Sequence, residues 1–243
     1  MPTREPIFNA PKAVLAVLAI LVLIHAGRQF LTEEDGLMLL LAMSFIPARF
    51  SGIAAELPGG DIATYSSFIT HMLVHGDWVH LAINSAWLLA FGSVVNKRIG
   101  GVRFVLFSIA GGIAGALAFL IIHPGLLAPV VGASGAIAAL MAGVIRFLFS
   151  ALDRHQGYLL REHPAAIPLM PLSTALTDRR VLATSAVFIA INLLALAGFG
   201  GMGSEPGAIA WEAHLGGYFF GLLCFGLFDI ATQNEPAYPP KAE

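Results

Sequence analysis

Apolar residues in this chain come in long blocks, without the alternation of a half-buried strand. A helix needs about 20 mostly apolar residues to cross the hydrocarbon of a bilayer. Six blocks approach that length: Ala13–Gly27, Trp78–Val95, Phe104–Ile122, Ser134–Phe149, Val181–Phe199 and Gly207–Ile230. They predict an all-α membrane protein, a six-transmembrane-helix bundle over residues 13–230 with short tails at 1–12 and 231–243. The run Leu37–Ile46 is too short to cross and lies in the long connection Arg28–Asp77, which predicts an interfacial or re-entrant helix in the first outer loop. Ser134–Phe149 is also short, about 24 Å at ~1.5 Å per residue. With its inner end held near Arg146, its first residues are expected below the outer surface.

Composition agrees with the pattern. Hydrophobic residues make up 57% of the 243 and charged residues 12%, about half the charged share of a soluble domain. The formal net charge of -2 has no clustered basic face behind it, so no nucleic-acid partner is expected. Six crossings put all but Arg28 and Arg49 of the 13 basic residues on the side of the termini. The positive-inside rule then places both termini in the cytoplasm. The stretch after the polar Met1–Lys12 lacks a small-residue cleavage site and reads as a retained helix. Cys224 is the single cysteine, so no intramolecular disulfide is available.

Polar side chains inside membrane spans are costly and point to function, with helix packing as the standing alternative. Three places stand out. His80 and Asn84 stand one turn apart on one face of the second span, two uncharged hydrogen-bond donors suited to an oxyanion or to gluing helices together. Ser134, in Gly132-Ala133-Ser134-Gly135, opens the fourth span, where a helix dipole and free N–H groups favour an anion; it also fits as a small packing residue. His214, in Ala213-His214-Leu215-Gly216-Gly217, stands in the sixth span, as a general base or a structural imidazole. Gly217 and Gly221, one turn apart beyond it, are a small-xxx-small pair that draws this helix against a neighbour. Together the three places supply nucleophile, base and oxyanion donors for acyl transfer. No acid accompanies them, which predicts a Ser–His dyad, and Glu212 faces a different side of its helix from His214.

His80 with Asn84, Gly132-Ala133-Ser134-Gly135 and Ala213-His214-Leu215-Gly216-Gly217 with Gly221 match, in order and spacing over Tyr65–Phe228, the HxxxN, GxSG and AHxxGxxxG motifs of the rhomboid family. The chain resembles these intramembrane serine proteases, of the bacterial type with six spans. The resemblance implies Ser134 as nucleophile, His214 as general base, and His80, Asn84 and the Ser134 N–H as oxyanion hole. It implies transmembrane protein substrates cut near the outer face, a cell-membrane location (the inner membrane in a bacterium) and no cofactor. Two positions depart from the pattern. Ser66 and Ser67 stand where the family often has Trp-Arg, and Ala138 stands where many members carry an aromatic ring against the histidine.

An inactive rhomboid-like protein that binds membrane helices is the alternative, and Ala138 keeps it open. A small transporter would show repeats and broken helices in two halves, which are absent. His71, His75 and His80 lie near one another, but no H-E-x-x-H pattern accompanies them, so no metal is expected. The glycines of the Gly200–Pro206 loop fit either a mobile cap over the site or a plain connector.

Overall fold

In a computed structural model of the chain, residues 10–194 and 210–229 are described. The Gly200–Pro206 loop, residues 1–9 of the first tail and the whole of the last tail lie outside them. The described residues are helical, with a single isolated bridge between Phe45 and Val130. The helices are α1 (Lys12–Arg28), α2 (Glu33–Met43), α3 (Gly60–Thr70), α4 (Trp78–Trp87), α5 (Ser93–Ile99), α6 (Gly101–Ile122), α7 (Ser134–Asp153), α8 (Leu159–Glu162), α9 (Leu172–Ala175), α10 (Arg179–Leu194) and α11 (Trp211–Phe228). A π-helical turn, Leu88–Gly92, joins α4 to α5 in one rod.

Among the described residues, three rods can cross a membrane by length and composition: Trp78–Ile99, Gly101–Ile122 and Ser134–Asp153. Of these, Ser134–Asp153 is buried over 72% of its 18-residue apolar window, against 28% and 33% for the others, which makes α7 the central helix. It differs from the sequence expectation, running 20 residues to Asp153, about 30 Å at ~1.5 Å per residue. Arg146 does not mark its inner end. That side chain is buried and donates to the carbonyls of Met170 and Leu222, so its charge needs no interface to reach. A short α7 therefore gives no argument for a submerged Ser134.

Packing around α7 rests on missing side chains. A Cβ on Gly217 would lie 2.0 Å from the Gly135 carbonyl oxygen, and one on Gly221 would lie 2.2 Å from that of Ala139. Backbone therefore meets backbone along α7 and α11, the close approach that small residues permit in membranes. On the other side of α11, a Cβ on Gly115 of α6 would lie 2.5 Å from the Ala213 carbonyl oxygen.

The long first connection folds into α2, α3 and short 3-10 turns. Thr32 caps α2 by accepting from the Asp35 N–H, and Glu33, Glu34 and Asp35 in the first turn suit its dipole. Buried Arg49 ties the connection together through the carbonyls of Leu41 and Pro58. Phe45 and Val130 exchange backbone hydrogen bonds of 3.0 and 2.8 Å, which stitches the connection to the segment leading into Ser134. At the opposite end, Arg98 and Asp229 form a fully buried 2.8 Å ion pair, and Arg98 also donates to the carbonyls of Pro164 and Ile167.

Candidate active site

Four helices contribute side chains to one place. Ser134 is the first residue of α7, where the opening N–H groups have no intrahelical partner. The chain reaches it through Gly132, whose φ of +106° favours glycine. The Gly132 N–H donates to the His71 carbonyl at 2.9 Å, and this holds the turn in place. Burial takes the His71 imidazole, in the first connection, down to a pKa of about 4, so it is neutral at neutral pH. Its Nδ1–H then donates to the Ser67 carbonyl at 2.7 Å.

His214 stands one turn into α11, and its Nε2 lies 2.7 Å from Ser134 Oγ. The close packing of Gly217 on Gly135 sets this distance, because both residues lie on the turns that carry the pair. His80 and Asn84 come from α4, whose N-cap Asp77 accepts from the His80 N–H. Their side chains press on the turn before Ser134. A Cβ on Gly132 would come within 2.6 Å of His80 Nε2 and 3.3 Å of Asn84 Nδ2. Asn84 is 4% exposed, and its Nδ2 has no hydrogen-bond partner among the described residues. A buried donor left unmade is expensive unless it serves another purpose.

A family model for the rhomboid domain matches residues 63–229. The chain belongs to the rhomboid family. It is 33% identical over 91 residues to Rhomboid protease GluP of Bacillus subtilis, covering 37% of this chain and 17% of that protein. It is 28% identical over 145 residues to Rhomboid protease GlpG of Haemophilus influenzae, covering 59% of this chain and 66% of that one. The matched part is thus less than two thirds of either relative's length.

In this rhomboid chain the structure brings Ser134, His214, His80, Asn84, Gly217 and Gly221 into one neighbourhood. Of the departures from the family pattern, Ser67 is buried and gives its carbonyl to His71, and Ala138 packs among Tyr218, Ala142 and Leu222. Glu212 points to α6, where it pairs with His123 instead of His214. Sequence reasoning missed Asn192 on α10, whose Oδ1 lies 2.7 Å from His214 Nδ1. The signal was present: an amide inside the apolar block Val181–Phe199 is a polar group in a span.

Proposed function

We propose that this chain is an intramembrane serine endopeptidase cutting transmembrane proteins near the outer face of the bilayer. The observation that carries the reading is the 2.7 Å contact between His214 Nε2 and Ser134 Oγ, beside a cluster of uncharged donors. Ser134 Oγ bonds to the substrate carbonyl carbon while its proton passes to His214 Nε2. The carbonyl oxygen takes the electron pair and is held by His80, Asn84 and the Ser134 N–H. Collapse breaks the C–N bond, and His214 returns the proton to the leaving nitrogen. Water then attacks the acyl-enzyme with His214 as base, and the C–O bond to Ser134 breaks as Oγ regains its proton.

The reading includes six crossings by α1, α4 with α5, α6, α7, α10 and α11, both termini in the cytoplasm, and α2 lying along the interface. Family membership supports it, as do the names of both relatives. The apolar faces left open on α2 by Leu37, Met38 and Leu39 suit a helix lying on a membrane. Cleavage of a model transmembrane substrate in proteoliposomes tests it. Wild type should cut, whereas Ser134→Ala and His214→Ala should not, with all three folding alike. A wild type that cuts nothing, with Ser134 unlabelled by a fluorophosphonate, leaves the helix-binding alternative.

A further inference from the structure

Asn192 lies deep in α10, 6% exposed, and each polar end of its side chain has one partner. Nδ2 donates to the Phe188 carbonyl, one turn back on the same helix, at 2.9 Å. That bond fixes which way the amide faces and leaves Oδ1 toward α11, where it meets His214 Nδ1 at 2.7 Å. An amide oxygen only accepts, so the proton of the His214–Asn192 bond belongs to Nδ1. A neutral imidazole with its proton on Nδ1 has its lone pair on Nε2, the atom facing Ser134 Oγ. Ser134 is then the donor of that bond, and its proton is already directed at the base.

We infer that Asn192 completes a Ser134–His214–Asn192 triad, as a positioning residue that selects the His214 tautomer and holds the ring toward Ser134. The inference rests on the protease reading for its catalytic consequence, and on geometry alone for the tautomer. It answers a need that the sequence left open. Ala138 offers no ring to brace His214 from α7, and Glu212 is taken by His123. Bracing comes from α10 instead. That helix is itself registered on α11 one turn further along, where Ser185 hydrogen-bonds the Tyr218 hydroxyl at 2.7 Å and Phe188 stacks on the Tyr218 ring with centroids 4.6 Å apart. Ser185, Phe188 and Asn192 share one face of α10, as His214 and Tyr218 share one face of α11. The two helices can therefore set the Asn192–His214 distance only together.

The test compares Asn192→Leu, of similar volume, and Asn192→Asp with wild type in proteoliposomes. It reads kcat and KM, the rate of fluorophosphonate labelling of Ser134, and the 15N chemical shifts of the His214 ring. His80 on α4 and the Glu212–His123 pair, the other titratable groups around α11's first turns, are unchanged in both variants. Asn192→Leu should lower kcat and the labelling rate at least about tenfold, a part of the ~10²–10⁴-fold that general-base catalysis contributes. KM should stay within about twofold, since substrate binding is untouched. The His214 signals should pass from a single Nδ1–H form to a tautomer mixture. Asn192→Asp keeps an acceptor, so it should retain labelling, with the acidic limb of the pH profile moved to higher pH as the carboxylate favours the imidazolium. Unchanged kcat and an unchanged profile in both variants would overturn the triad, as would a wild-type spectrum with the proton on Nε2. If Asn192→Leu does not fold, Asn192→Asp and the wild-type spectrum decide. A wild type that neither cuts nor labels removes the protease reading, while the spectrum still reports whether Asn192 selects the tautomer.

Discussion

Ser134 and His214 are 80 positions apart in the chain, yet their reactive atoms sit at hydrogen-bond distance. Each residue is ordinary by itself, a serine among small residues and a histidine in an apolar helix. Asn84 carries more information at this scale, because its buried amide nitrogen has no partner among the described residues while facing the turn before Ser134. If that donor waits for an oxyanion, Asn84→Ala should lower kcat by about 10²–10³-fold, the usual loss for one oxyanion-hole donor. KM should change little, and steady-state cleavage with the folded variant checks both. Asn192 belongs to the same scale: its Nδ2 bond to Phe188 leaves only an acceptor for His214. It escaped the sequence reading because an amide in a span does not announce which helix it will face.

At the scale of elements, glycine sets the site. His214 reaches Ser134 because α11 lies against α7 with no side chain between Gly217 and the Gly135 carbonyl. The AHxxGxxxG pattern made this contact legible from the sequence, since histidine and glycines share one helix and one period. Gly217→Ala should cost about 1–3 kcal/mol through overpacking and lower cleavage by moving His214 off Ser134. Thermal unfolding in detergent and cleavage in proteoliposomes check the two parts. The length of α7 was less legible. Arg146 looked like the end of a span, but the Met170 and Leu222 carbonyls satisfy its guanidinium, and the helix continues to Asp153. A charge marks a membrane boundary only when nothing inside can solvate it.

At the scale of the molecule, two sets of contacts hold the bundle around the site. On Ser134's side, backbone bonds from Phe45 to Val130 and from Gly132 to His71 tie the first connection to the approach to α7. On the far side, Arg98 after the π turn pairs with Asp229 just past α11. Arg98→Met should cost about 3–5 kcal/mol by removing one partner of a fully buried ion pair. The melting temperature of the variant against wild type checks this. The sequence by itself determined the helical class, the blocks that form the main helices and the motifs of the family, because apolar length, glycine spacing and intramembrane polarity are local properties. Only the tertiary structure decided that Asn192 faces His214, that Glu212 turns to His123, and that Arg146 and Arg98 are solvated from within. Each of those outcomes depends on which helix packs beside which and at what rotation, and no single segment carries that information.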